Sequence, residues 1–537
     1  MCGILGIIGG GFPLEKAKEL SHRMSHRGPD ERDIIKTKKG HILAHERLSI
    51  IDLQSGIQPI QGSQFAYMVH NGEIYNHQEL KQTILKDVMF RTQSDSEVIV
   101  HLFEKFGYDF LEYLDGVFAF IVVDGDDFIV GRDPIGVKPL YYGQDSEKRW
   151  FFASEMKVIA DQCEWFKAFP PGHIFTAKDG LIRYYQPDWF DYKVASKKLD
   201  LTKIRESLIT ATKKRLMTDV PLGVLLSGGL DSSLTSAIAS RELKKQGKKL
   251  HSFSIGLDKT SPDLKAAKKV ADFLGTQHHE FYFSVEEGIQ ILTQLIWHLE
   301  TYDVTSIRAS TPMYFLSQKI TDLGVRVVLS GEGADEIFGG YLYFGNAPSA
   351  KDFQKETIRR VQRLSTSDCL RADKSTMAHG LEARVPFLDK DFLQIAMTTE
   401  TREKLPETYS GIEKYILRKS FDTTDDPYLP KEVLWRQKEQ FSDGVGYHWI
   451  DQLIAYCTQQ VSDLEMEKAG TKYPHNTPSS KEAYFYREIF HKHFPQKSAE
   501  KTVLKWIPKW QKNEDPSGRA NKAHVHADMA IASPKAV

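Results

Sequence analysis

Partway along this 537-residue chain the apolar pattern changes period, and no single sheet or helical bundle accommodates both parts. Up to about residue 185 the strongest signals are strand-length runs. GVFAFIVV and FIVGRD flank a Gly/Asp turn and read as a hairpin, and KPLYYG and RWFFASE continue the pattern. A helix interrupts them at SDSEVIVHLFEKFG, where Val98, Leu102 and Phe106 share one face and Gly107 stops the turn. Beyond residue 200, strands alternate with helices. VPLGVLL, LHSFSIGL and GVRVVLSG are strand runs, and LTKIRESLITATKKRLM, SSLTSAIASRELKK and PDLKAAKKVADFLG are helical between and around them. The first part predicts α+β built on antiparallel sheets. The second predicts a parallel α/β sheet with ligands at the carboxyl ends of its strands.

A chain this long exceeds what one core usually supports, so two domains are expected. The aperiodic PDWFDYKVASKKLD between them reads as a linker, giving domains at 2–188 and 203–512, a linker at 189–202 and a polar, small-residue tail at 513–537 that reads as disordered. No internal repeat is present. Formal net charge is −1, which supplies no global basic field for nucleic acid. The four cysteines are scattered without a CxxC pair, so neither a zinc site nor a disulfide framework is expected, and a cytoplasmic location fits. The glycine-broken start lacks the basic flank of a signal peptide, and no apolar run is long enough to span a bilayer.

The strongest motif is LLSGGLDSS, at a strand-to-helix junction. Gly228 and Gly229 permit close backbone approach, and Ser227, Ser232 and Ser233 add hydroxyls at a helix N-terminus, a natural anion site. Asp231 can hold Mg²⁺ on the same phosphates. No GK[ST] follows, so this is not a Walker loop. A nucleotide held by its pyrophosphate, with chemistry at the α-phosphorus, fits instead. A second strand end, VVLSGEGADE, clusters Glu332, Asp335 and Glu336, which read either as a solvated acidic turn or as metal ligands and acid–base groups. In the first domain, Asn71-Gly72 reads either as a hairpin turn or as an oxyanion hole, with the Asn amide and the Gly N–H on one oxygen. Arg47 and Asp95 can hold an α-carboxylate and an α-ammonium. Cys2 reads as a small apolar residue or, once Met1 is removed, as a nucleophile carrying its own amine base. The aromatic stretch SSKEAYFYREIF reads as a packed helix.

Together these segments resemble a known family. MCGILGI, HRGPDE, AHERLSIID, NGEIYN and SDSEV resemble the glutaminase domain of class II, N-terminal-cysteine glutamine amidotransferases. LLSGGLDSS, TSIRASTPMY, LSGEGADEIFGGY, LEARVPFLD, RQKEQFSDGVGY and TPSSKEAYFYREIF resemble the synthetase domain of glutamine-hydrolysing asparagine synthetases. The resemblance implies a four-layer Ntn-hydrolase-like sandwich followed by a PP-loop ATP-pyrophosphatase-like sheet. It implies that Cys2 attacks the glutamine amide, that Asn71 and Gly72 stabilise the oxyanion, and that Arg47, Leu48, Ser49, Ile50, Ile51, Glu73 and Asp95 bind glutamine. It further implies ATP held by Leu226, Ser227, Gly228, Gly229, Asp231, Ser232, Ser233, Ile255, Ser330 and Gly331, with Mg²⁺ on Asp231 and Asp335. Aspartate held by Thr305 and Arg308 would form β-aspartyl-AMP, aided by Glu332 and Lys438, and ammonia would cross between the domains. A homodimer is implied by the same analogy, with no nucleic-acid or membrane partner. Gln93 departs from the glycine of many relatives, and the segment after GGYLYFGNAPSAKDFQ resembles a mobile loop of the family.

Three rival readings compete. A tRNA-modifying adenylating enzyme predicts a basic face and further reactive cysteines. Other N-terminal-cysteine amidotransferases replace the ATP half. A silent scaffold of the same fold should have lost Cys2, Asp231 or Glu332, and all three are intact.

Overall fold

The computed structural model describes residues 1–436, 444–446 and 448–511. Lys438 and the stretch 513–537 therefore lie outside the described residues.

Two six-stranded sheets form the first part. The first runs Trp165–Ala168, Tyr141–Gln144, Trp150–Ala153, Gly3–Ile8, Ile42–Arg47, Glu31–Lys36, and every pairing in it is antiparallel. The second runs Gly180–Arg183, His173–Thr176, Asp127–Arg132, Gly116–Asp124, Tyr67–Ile74, Ile60–Gln61. Alternation along each strand gives both sheets two apolar faces. Ile4, Leu43 and Phe152 meet Val69, Ala119 and Ile121 between the sheets. Leu5, Ile7 and Ile42 turn outward onto the helix Leu14–His22. On the far side Phe118, Phe120 and Ile129 pack against the helix Val98–Phe106. The result is helix, sheet, sheet, helix. The hairpin expected around the Gly/Asp turn is present, with Asp124 paired to Asp127, and Gly107 ends the Val98–Phe106 helix.

The second part is a five-stranded parallel sheet in the order Gln277–Tyr282, His251–Gly256, Leu222–Leu225, Val327–Leu329, Glu382–Arg384. Its central strand, Leu222–Leu225, leads into the helix Leu230–Lys245 through the glycine–serine loop. The segment between the parts is pinned rather than loose: it contains two short 3₁₀ turns, and Trp189 is buried.

The two halves meet across buried ion pairs. Arg27 joins Glu155 at 3.1 Å and Asp373 at 2.8 Å. Lys157 lies 3.1 Å from Glu300, which also holds Lys374. The Met1 ammonium sits 2.8 Å from Glu382, and Arg384 reaches Glu73 at 3.2 Å. Met1 itself packs with Leu48 and Ile50 against Val224 and Leu329 of the parallel sheet. Among the described residues, no helix is long and apolar enough to cross a membrane.

Candidate active sites

Cys2 immediately precedes the strand Gly3–Ile8, in the interior of its sheet. Its N–H donates to Asn71 Oδ1 at 2.9 Å, its carbonyl accepts from Arg27 Nε at 3.0 Å, and Sγ lies 3.9 Å from the Leu48 carbonyl. Asn71-Gly72 is not a hairpin turn. Both residues lie within the strand Tyr67–Ile74, paired with Ala119 and Phe118. Gly72 has φ +149°, and a Cβ there would stand 2.0 Å from the Val117 carbonyl oxygen, so the position admits only glycine. Asn71 Nδ2 is buried and, among the described residues, has no hydrogen-bond partner. A buried amide donor left open costs about 1–3 kcal/mol, which an incoming oxyanion would recover.

The cavity beside Cys2 measures about 30 Å³, room for a water or two rather than for an amino acid, and Met1 forms part of its wall. Arg47, Leu48, Ile50, Ile51, Gly72, Glu73 and Asp95 border it as expected. Ser49 does not; its N–H donates to Asp30 at 2.8 Å. Arg47 is held by Glu31 and by the Asp52 carbonyl. Asp95 accepts from the Ile74 N–H at 2.7 Å, and burial pushes its carboxyl above the ordinary range. Burial also raises the Cys2 thiol, against the opposing pull of the adjacent α-ammonium. The thiol therefore needs a base to become a nucleophile. His70 borders the same cavity but cannot serve at neutral pH as a charged group, because burial lowers it to about 3. Gln58, Ser94 and Ser96 also border the cavity; His70 bonds Gln58 and Ser96, and no local spacing in the sequence pointed to them.

The second site lies at the carboxyl ends of Leu222–Leu225 and Val327–Leu329. Ser227 Oγ and Ser232 Oγ are 3.1 Å apart, and Ser232 Oγ also bonds the Gly229 carbonyl at 3.2 Å, closing the loop on itself. Gly228 has φ +75°, and a Cβ there would meet the backbone of Ala266 and Ala267 at 2.5 Å. A cavity of about 170 Å³ is bordered by Leu226, Ser227, Gly229, Asp231, Ser232, Ile255, Ser330 and Gly331, together with Glu332, Asp335 and Thr305. Gly228 and Ser233 are not on its wall; Ser233 is fully buried.

The acidic strand end is not a solvated turn. Lys414 Nζ donates to both Asp231 oxygens at 2.9 and 2.6 Å and to Asp335 Oδ1 at 2.8 Å. Two carboxylates that already converge on one cation have the donor chemistry for a divalent metal ion. Arg371 donates to Glu332 at 2.8 Å and pairs with Asp368 at 2.9 Å. Burial still pushes Glu332 above the usual carboxylate range, with Arg371 opposing the rise. Glu336, bonded by Tyr341, is raised well above it, by burial first and by nearby Asp368 and Asp335 next. Lys414, in the turn before the helix Tyr415–Ser420, and Arg371, on the helix Asp368–Met377, are remote in sequence from either motif, so local spacing did not reveal them. Arg308 is absent from this cavity. It is buried against Glu482, with its Nε at 2.9 Å from Oε1.

An N-terminal thiol inside a four-layer sandwich, joined to a phosphate loop in a parallel α/β sheet, defines an amidotransferase coupled to a nucleotide-using synthetase. Comparison with known proteins agrees. The family model "Glutamine amidotransferase domain" matches residues 1–180, and "Asparagine synthase" matches 203–354 and 345–515. Asparagine synthetase (glutamine-hydrolyzing) 1 of Arabidopsis thaliana is 51% identical over 97% of this chain and 93% of its own length. The enzyme of that name from Zea mays is 51% identical over 98% and 94%, and asparagine synthetase 2 of Oryza sativa subsp. japonica is 52% identical over 97% and 92%. The chain belongs to the family of glutamine-hydrolysing asparagine synthetases.

Proposed function

We propose that the chain converts aspartate, glutamine and ATP to asparagine, glutamate, AMP and pyrophosphate. The observation that carries the reading is the pairing, in one chain, of Cys2 against the open Asn71 amide with Asp231 and Asp335 converging at the glycine–serine loop.

After Met1 is removed, the Cys2 amine takes the thiol proton and Sγ attacks the glutamine side-chain carbonyl. Asn71 Nδ2 and the Gly72 N–H hold the oxyanion. Arg47 receives the α-carboxylate; Asp95 and the Glu73 backbone receive the α-ammonium. The raised Asp95 carboxyl ionises as the substrate cation arrives. Ammonia leaves, and water releases glutamate from the thioester. At the second site, Ser227, Gly228, Gly229, Ser232 and Ser233 form the pyrophosphate loop, and Leu226, Ile255, Ser330 and Gly331 the adenosine wall. Asp231 and Asp335 would hold Mg²⁺, which offsets phosphate charge when bound. Aspartate, bound through Thr305 and Arg308, attacks the α-phosphorus, with Lys438 assisting. Glu332, raised by burial, accepts a proton from incoming ammonium. Ammonia crosses the domain interface, where it avoids protonation by bulk water.

Domain limits at 2–188 and 203–512, a homodimeric assembly and a cytoplasmic location complete the reading. Four free thiols support the last. Amino-acid chromatography of protein with a Cys2 N-terminus, given Mg-ATP, aspartate and glutamine, tests it. Equimolar asparagine and glutamate are expected; glutamate alone would mean that the acceptor is not aspartate.

A further inference from the structure

The helix Lys481–His493 packs as the aromatics of SSKEAYFYREIF predict, with Tyr484, Tyr486 and Phe490 buried. Arg487 on the same helix pairs with Glu500 and begins a series of anchors for the last described stretch of the chain. Tyr302 Oη donates to the Glu500 carbonyl at 2.9 Å and Asn476 Nδ2 to the Val503 carbonyl at 3.0 Å. Arg360 Nη2 donates to the Ile507 carbonyl at 2.8 Å, and Lys509 lies 3.1 Å from Glu356. These anchors deliver one side chain to the synthetase site. Among the described residues that border the nucleotide cavity, Trp506 alone comes from beyond Arg436.

Trp506 stands between two spaces. It borders the cavity at the glycine–serine loop and also a neighbouring chamber of about 510 Å³, on whose wall Arg308 lies. Thr458, Ser479 and Ser480 border that chamber and are exposed, so water reaches it. Trp506 itself is 7% exposed. Its N–H donates to Asp303 Oδ1 at 2.7 Å, while Oδ2 of the same carboxylate caps the helix Val304–Asp322 through the Ser306 N–H at 2.9 Å. The buried Arg360 guanidinium rests 4.0 Å from the centre of a Trp506 ring. Tyr341, which borders the nucleotide cavity and bonds Glu336, meets the indole edge-on at 5.2 Å. An indole held by backbone, cation and aromatic edge is a rigid apolar wall.

We infer that Trp506 is the water barrier of the synthetase site, keeping solvent of the neighbouring chamber from the activated aspartate. The inference rests on the synthetase function proposed above. An acyl-adenylate is open to water as well as to ammonia. Ammonia at the β-carbonyl carbon gives asparagine. Water at the same carbon forms a C–O bond and breaks the one to phosphate. Aspartate returns, AMP leaves with the bonding pair, and the protons of water pass to the buffer, so one ATP is spent for nothing. Water is in great excess over ammonia, so selectivity has to come from exclusion. Trp506 supplies that exclusion without touching the reacting atoms, and Arg360 is a positioning residue that backs its ring.

The test compares full-length wild type with Trp506→Ala, Trp506→Phe and Arg360→Lys. Each is given Mg-ATP, aspartate and ammonium chloride, and AMP and asparagine are quantified by chromatography. Wild type should form AMP and asparagine in nearly equal amounts. Trp506→Ala should form AMP in about threefold excess or more, Arg360→Lys in smaller excess, and Trp506→Phe should restore a ratio within about 1.5-fold of wild type. The ratio belongs to each turnover, so a partly unfolded preparation still reports it. In heavy-oxygen water without ammonium, the AMP formed by Trp506→Ala should be matched by label in aspartate. Label in AMP instead would mark direct attack of water on phosphorus and overturn the proposal. A wild-type ratio in Trp506→Ala, or AMP and asparagine falling in parallel, also overturns it. No asparagine from wild type overturns the functional reading, and this inference with it.

Discussion

The two sites prepare for their substrates in opposite ways. At Cys2 the space is nearly closed, burial keeps His70 beside it neutral, and one donor, the Asn71 amide, has no partner among the described residues. At the glycine–serine loop the space is larger and already charged, with carboxylates held by Lys414 and Arg371. A neutral amide is best served by dipoles fixed in a dry pocket. A nucleotide is best served by charges that can exchange partners.

The sharpest break of this contrast is Cys2→Ala, which should abolish glutamine-dependent synthesis and leave ammonia-dependent synthesis within about twofold of wild type. Residual glutamine use would put the nucleophile elsewhere. Asn71→Ala should lower the glutaminase kcat by about 10²–10³, the usual effect of losing one oxyanion donor, while ATP–pyrophosphate exchange with aspartate stays intact. In the other half, Lys414→Met strips the shared ammonium from Asp231 and Asp335. It should destabilise the free enzyme by about 3–5 kcal/mol, and Mg²⁺ should restore part of the lost melting temperature. A variant as stable as wild type, or one blind to Mg²⁺, would separate Lys414 from the metal position.

The smallest effect concerns pH. His45 and His70 are lowered to about 3 by burial, from an ordinary 6.5, so the unfolded chain binds protons that the folded one does not. Stability contributed by keeping them neutral is complete above about pH 6.5 and declines below it, by about 2 kcal/mol for each histidine by pH 5. Urea unfolding followed at pH 7 and pH 5 should show the loss, and His70→Asn should reduce its steepness.

What the sequence disclosed follows physical range. The hairpin around Gly125, the Val98–Phe106 helix and the parallel strands are local periodicities, and each lies where the pattern placed it. The glycine–serine loop was legible because a short run carries its chemistry. Asn71-Gly72 was ambiguous, since the dipeptide suits a turn as well as a strand, and only pairing with Ala119 and Phe118 decides. Lys414 and Arg371 were invisible, being brought in from distant segments by tertiary packing. Arg308 could be found but not oriented: its partner Glu482 is 174 residues away, and that contact turns it from the nucleotide chamber to the neighbouring one.

Met1 is 2% exposed, and its ammonium is paired with Glu382 across the domain boundary. The proposed mechanism therefore requires that methionine to leave before it is enclosed. Once the segment around Glu382 has emerged and the halves have closed, an aminopeptidase can no longer grip the end of the chain. At about 5–20 residues per second, the ribosome needs roughly 20–80 s to reach that segment. On the mechanism proposed above, trimming that comes before closure leaves Cys2 as the N-terminus, whereas a chain that closes first keeps Met1 against Glu382.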